Sequence, residues 1–285
     1  MKKYLILTIL SALIIGCKST ERHEAIGGGY GIGELESDMK VGFWSFYFDE
    51  NNKKSEGKYM NNQQHGLWKF WFENGQLREE SNWNNGIAEG NYISFFENGN
   101  KESEGMFKDD STHGKWSWYN QDGTISQTGT FDLGAKTGVW KMYYPNGKVM
   151  EKYVYADNQL HGASELFFEN GNKLAEGDYS YDEKQGNWKT YFENGEIESI
   201  TNWEMGQLEG PSKEFYPNGQ LAIDGYFSSG EEVGEFKWYY ENGTLKAEGN
   251  FVNGRKEGIF RYYSEDGKLL KTEQYRKGMI TSSVE

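Results

Sequence analysis

GLWKFWFENGQLREESNWNNGIAE, residues 66–89, decides the fold. Two strand-length runs rich in aromatic residues flank Asn74-Gly75, and the residue after the stretch is another Gly that starts the same pattern again. Ten glycines, Gly42, Gly66, Gly90, Gly114, Gly138, Gly162, Gly186, Gly210, Gly234 and Gly258, stand 24 residues apart with no insertion or deletion. A fixed period of this length is the mark of stacked supersecondary units rather than one closed domain.

Each unit is numbered here from its leading Gly as offset 0. Offset 2 is aromatic in eight of ten units, Ser164 and Ser212 being the exceptions, and offset 17 is aromatic in all ten, as at Trp83, Phe131 and Tyr275. Asn-Gly or Asp-Gly at the middle of most units is the strongest short-range signal for a two-residue hairpin turn. Such a turn pairs offset 6 with 11, 4 with 13, 2 with 15 and 0 with 17. Offset 15 is usually Gly (Gly57, Gly105, Gly129, Gly177, Gly225, Gly249). The offset-2 ring is therefore expected to cover the strand glycine of its own hairpin. The predicted fold is all-β: about ten tandem 24-residue hairpins in one elongated antiparallel sheet, on the order of 100 Å long at the usual strand spacing.

Offset 5 has the opposite parity and is aromatic in every unit: Tyr47, Trp71, Phe95, Tyr119, Tyr143, Phe167, Tyr191, Phe215, Tyr239 and Tyr263. These ten rings are the candidate binding surface, on a face that Lys69, Lys141, Lys189 and Lys237 at offset 3 make wetter than the first. Either they stiffen a thin sheet or they form a ladder on which a ligand stacks.

A second period of 120 residues lies inside the first. Offset 15 runs Gly, Ser, Gly, Gly, Tyr and then Gly, Thr, Gly, Gly, Glu, and Ser81-Asn82-Trp83 recurs as Thr201-Asn202-Trp203. Two blocks of five hairpins, 42–161 and 162–281, follow from a duplication. Its irregular members Ser81, Tyr153, Thr201 and Glu273 either change local geometry or are inherited without geometric effect. Residues 33–41 fit half a preceding unit and serve as an N-terminal cap; 282–285 form a tail, with Lys271, Glu273, Arg276 and Lys277 guarding the last strand edge.

Residues 1–16 belong to a different kind of segment. Lys2 and Lys3 precede an apolar run over 4–15, too short for a comfortable membrane span and typical of a secretory signal. It ends in Ile14-Ile15-Gly16-Cys17, which resembles the lipobox of bacterial lipoproteins; the resemblance implies cleavage before Cys17 and lipidation of its thiol. Residues 17–32 then read as the lipidated Cys and a flexible tether. Cys17 is the single cysteine, so there is neither a disulfide framework nor a thiolate metal cluster.

The units, for instance Gly-Lys-Trp-Ser-Trp-Tyr-Asn-Gln-Asp-Gly at 114–123 and Asn-Gly-Lys-Val at 146–149, resemble the MORN-repeat family over roughly 33–280, in the bacterial variant of the YwqK-type antitoxin-like proteins. The resemblance implies a scaffold or binding surface, and its label implies toxin neutralisation.

Several chemistries are disfavoured. A formal charge of −14 argues against nucleic acid and leaves a basic partner compatible. His65, His113 and His161 share offset 23 in alternate units, which puts them about 20 Å apart, too far for one zinc ion. Glu73, Glu97, Glu169, Glu193 and Glu241 are turn carboxylates about 10 Å or more apart, too far for a glycosidase pair. Gly27 to Gly33 lack the Lys-Ser/Thr and helix of a phosphate loop. The sequence predicts a non-enzymatic, cofactor-free, metal-free envelope protein on a lipid anchor, whose partner is another protein or, through the aromatic ladder, a glycan.

Overall fold

The computed structural model describes residues 20–24 and 29–285; the signal segment and Cys17 lie outside the described residues. The chain divides into two compact units, Met1–Glu89 and Gly90–Glu285, a division that does not fall at the boundary between the two sequence blocks. Secondary structure among the described residues is entirely β-strand and turn, and the strand pairings are antiparallel.

In the first unit the strands are β1 (Glu21–Glu24), β2 (Tyr30–Glu36), β3 (Met39–Tyr47), β4 (Lys53–Met60), β5 (Gln63–Trp71) and β6 (Leu77–Asn84). Consecutive members pair from β1 to β6. The described part of the stretch read as a tether is therefore built into the sheet. Glu21 pairs with Gly33, the Arg22 guanidinium lies 3.7 Å from the Tyr30 ring centroid, and His23 stacks on Trp44 at 5.2 Å. In the second unit the same meander runs through to Met279–Val284, where Val284 pairs with Thr272 and Ser283 with Glu273. The residues read as a tail are thus a strand, and they cover the edge that charges were expected to guard. Glu273 faces inward instead, 7% exposed and bonded to Lys271 and to the Tyr275 hydroxyl.

The turn within each hairpin is longer than expected. The Phe72 N–H donates to Gln76 O and the Gly75 N–H to Phe72 O, at 2.9 and 3.0 Å, and of Asn74 and Gly75 only the glycine has a positive φ, +83°. This is a three-residue loop, a β-turn followed by a left-handed glycine. It shifts the register by one, so that Trp71 faces Leu77; Arg78 then bulges out and Phe70 faces Glu79. The two irregularities cancel, which is why Trp68 still faces Ser81 and Gly66 still faces Trp83. The two-residue turns with both φ positive are the ones between hairpins, as at Asn61-Asn62 (51° and 65°) and Asp157-Asn158 (49° and 70°).

The buried layer is aromatic: Trp44 and Trp68 are 1% exposed and Phe260 is fully buried. Seven of the eight offset-2 rings cover a glycine, but of the preceding hairpin or half-hairpin and not their own. A methyl placed on Gly57 would lie 2.4 Å from the Trp68 ring, and one on Gly129 2.3 Å from Trp140. The cause is the leading glycine of each unit. Gly66, at φ +73°, bulges its strand so that the residues between His65 and Lys69 face the single residue Gly57, and the following ring swings back across it. The Trp68 indole N–H then reaches Lys58 O at 3.0 Å, and Trp188 bonds Asp178 O in the same way at 3.1 Å.

Both exceptions at offset 2 follow a hairpin without the glycine, although Tyr92 keeps its ring after Ser81. Ser164 follows Tyr153 and Ser212 follows Thr201, two of the places where no glycine is available to be covered. The backbone responds there. Gly90, Gly162 and Gly210, the leading glycines after Ser81, Tyr153 and Thr201, sit at φ +104°, whereas the other leading glycines lie between +63° and +80°. The 120-residue period therefore has a geometric consequence.

Candidate binding surfaces

All ten offset-5 rings are half-buried. Tyr47 stacks on Tyr30 with centroids 4.8 Å apart, and Lys53 lies 5.3 Å from the Trp71 centroid. The hydroxyls of Tyr119, Tyr191 and Tyr263 donate to Glu104, Glu176 and Glu248, the last two at 2.6 and 2.9 Å, and Tyr143 meets Thr128 at 3.4 Å. Each of these partners is at offset 14 of the preceding hairpin. The carboxylates in turn hold lysines, Lys101 on Glu104 at 2.7 Å and Lys173 on Glu176. Phe95 and Phe167 add apolar cover, and Phe215 and Tyr239 reach the rim of a groove described below. This face is wet, as its lysines suggested, and several of its rings are engaged with the protein itself.

The network shifts the acidity of its members. Burial and the Glu176 carboxylate push the Tyr191 hydroxyl up to about 12, and Lys173, with Tyr191, holds Glu176 below the usual carboxylate range.

On the opposite face, lysines at offset 22 lie over the rings. Lys136 Nζ is 4.6 Å from the Trp140 centroid and Lys184 Nζ 4.2 Å from Trp188, close enough for cation–π attraction. Burial lowers the pKa of Lys184. This arrangement repeats at Lys40 over Trp44, at 5.2 Å.

The same face carries a groove of about 520 Å³ in the second unit, walled by Phe192, Tyr216, Ile223, Trp238, Phe260 and Tyr262. Its origin is a change of residue size. Offset 4 is a large ring at Trp118, Trp238 and Tyr262, but Thr190 and Glu214 stand there in two successive units. Ala247 pairs with both Trp238 and Tyr262, so a methyl side chain lies between two large rings. Lys246 and Lys256 border the hollow together with Glu214, an excess of positive charge in an acidic chain. Offset 6 supplies part of the wall, and it is aromatic in eight of ten units, a signal that attention to offsets 2, 5 and 17 passes over.

His113 Nδ1 lies 3.4 Å from an Asp132 oxygen, and the His161 ring meets Tyr181 edge-on at 5.2 Å. No group of three or more His, Cys, Asp or Glu among the described residues is placed to hold a metal ion. No helix among them is long and apolar enough to cross a membrane.

Nine stretches, 64–85, 88–109, 112–132, 136–157, 160–181, 184–205, 208–228, 232–253 and 256–277, match the MORN repeat variant family, and the chain belongs to that family. No curated protein matches it. Solved structures that align with it include the crystal structure of TcdB2-TccC3, 12% identical over 88% of this chain and 16% of that one, with a TM-score of 0.16. The same assembly without its hypervariable C-terminal region is 11% identical, over 86% of this chain and 16% of that one, with a TM-score of 0.20. The chain thus spans about a sixth of the length of the structures it aligns with.

Proposed function

We propose that this chain is a non-enzymatic, lipid-anchored cell-envelope protein whose repeats form a binding or scaffolding surface for another protein. The observation that supports binding is the groove beside Trp238 and Tyr262: an apolar hollow with a few charged groups at its rim suits one anchoring side chain of a partner. Toxin neutralisation would be one case of such binding. Crosslinking and purification from the native host tests the reading. Ala247→Trp, which fills the hollow, should remove the partner captured by the parent protein, and an unchanged set of partners would overturn it.

The anchor rests on the sequence before Cys17, which resembles a lipobox. Cys17→Ser should release the protein from the membrane fraction; retention there would defeat that part of the proposal. A glycan remains the second reading, supported by the half-exposed rings of the offset-5 face. On a glycan array, Ala at Tyr119, Tyr143 and Tyr191 should abolish sugar binding if those rings carry it.

A further inference from the structure

The first residue of each two-residue turn between hairpins lies in the left-handed region, which Asn and Asp tolerate and larger side chains adopt at a cost. Most of these turns use small polar residues, among them Asn61, Asp109, Asp157 and Asn253. Four do not: Lys277, at φ 52°, is long and charged, and three are apolar or aromatic, Leu133, Tyr181 and Met205, with φ of 44°, 52° and 47°. Burial does not compensate them, because their exposures are 54%, 68% and 74%. An apolar side chain that is strained in its backbone and open to water lowers stability on both counts, and outliers of this kind gather at functional places.

All three belong to the second unit and occupy offset 19, so they project along one edge of its hairpins. Strand spacing puts adjacent turns about 10 Å apart, making Tyr181 and Met205 neighbours with Leu133 about 20 Å from Tyr181. The exposed charged groups next to the three turns in sequence are acidic, and the exposed Lys108 lies one hairpin before Leu133. Asp132, Asp157, Asp182 and Glu204 are exposed on this edge, while Lys136 and Lys184 are turned over the Trp140 and Trp188 rings. Apolar anchors inside an acidic rim are complementary to a partner that alternates apolar and basic residues.

We propose that this turn edge is an interaction surface for a basic, extended protein segment, anchored by Leu133, Tyr181 and Met205. The distance from Leu133 to Met205, about 30 Å, corresponds to roughly nine extended residues. None of the three lines the groove, so this surface and the groove can fail independently.

The test is fluorescence anisotropy of the full chain with a labelled 12-residue peptide of alternating Lys and Leu, beside an all-Lys peptide of equal length. The Lys-Leu peptide should bind at least about tenfold tighter, and the triple variant Leu133→Asn, Tyr181→Asn, Met205→Asn should erase that preference while its melting temperature rises, because Asn suits these turns. Leu269→Asn with Leu270→Asn, which removes apolar surface elsewhere, should leave it intact. Equal binding of the two peptides, absence of binding, an unaffected triple variant or a lowered melting temperature would each overturn the proposal. So would an equal loss in the Leu269/Leu270 variant, or binding to phosphatidylglycerol vesicles in place of the peptide.

Discussion

At Gly57, Gly129 and Gly177 the hydrogen in place of a side chain is what lets an indole lie flat on the strand. Gly129→Ala would put a methyl 2.3 Å from the Trp140 ring, which is itself buried and cannot easily yield. We expect a loss of about 1–3 kcal/mol, the usual cost of overpacking, read from the shift of a denaturant midpoint. The partner is the informative control. Gly177→Thr should cost a similar amount in the parent and much less beside Trp188→Ser, a combination that copies the natural pair Thr201 and Ser212; additive effects would show that glycine and ring are not coupled. The alternation of aromatic and small residues was legible in the sequence, but the identity of each ring's partner was not. A reading confined to one hairpin pairs Trp44 with Gly57 as Cα neighbours, which they are, while the ring over Gly57 belongs to Trp68 because a left-handed glycine displaces it. Ser164 and Ser212 held the missing signal.

Tyrosine acidity belongs to the residue scale as well. Burial and neighbouring carboxylates push both Tyr153 and Tyr191 up to about 12, from an ordinary value near 10. A raised folded pKa means that the protonated hydroxyl is favoured by folding, so this stabilisation is complete below pH 10 and disappears as pH rises through about 12. Absorbance titration at alkaline pH should therefore show tyrosines ionising late and together with loss of fold. Tyr191→Phe should remove part of the alkaline transition and lower neutral-pH stability by about 1 kcal/mol, the loss of the hydroxyl's bond to Glu176. Glu176, held low by Lys173 and Tyr191, acts in the opposite direction: its contribution is present above the ordinary carboxylate pKa and is lost as pH falls through its depressed value.

Among the elements, the turns inside the hairpins do more than reverse the chain. Asn194 Oδ1 accepts from the Glu196 N–H at 3.0 Å within its own turn, and its Nδ2 donates to Pro217 O in the next turn at 3.1 Å. The same double contact recurs from Asn146, Asn170, Asn218 and Asn242, so neighbouring turns are stitched by a row of carboxamides. An aspartate can make the first bond and not the second, as Asp122 does with Thr124. Asn194→Asp with Asn218→Asp should therefore cost about 1 kcal/mol or less per exposed rung, measured as a fall in melting temperature. Replacement by Ser, which loses both bonds, should cost more than Asp. The Asn-Gly pairs announced the hairpins correctly but not the loop length, because a three-residue loop and a compensating bulge at Arg78 leave the downstream register as a two-residue loop would. The second role of the asparagine, toward the next hairpin, has no signature within a single unit.

At the scale of the whole molecule the 24-residue period was fully legible, whereas the groove was not, because it arises from departures spread over successive hairpins. In the second unit, ring contacts run from Tyr153 through Tyr179 to Trp188, and again from Phe227 through Phe236, Phe251 and Phe260 to Tyr275. Between these runs Thr201 and Ser212 put hydroxyl side chains where glycine and an indole stand elsewhere, Gly210 takes φ +104°, and the strands Gln207–Leu208 and Gly210–Phe215 are separated at Glu209. The groove begins at the next positions along, beside Glu214. A repeat array held by nearest-neighbour packing opens first where that packing is thinnest. Native-state hydrogen exchange should therefore find amides over 208–214 less protected than those over 138–142, where Trp140 covers Gly129. Thr201→Gly with Ser212→Trp restores the regular pair, and it should raise protection over 208–214 about tenfold or more, the effect of roughly 1.4 kcal/mol or more in local opening. Unchanged exchange in that variant would mean that the irregular hairpins are as firmly closed as the rest, and that the groove owes nothing to the gap in the ladder.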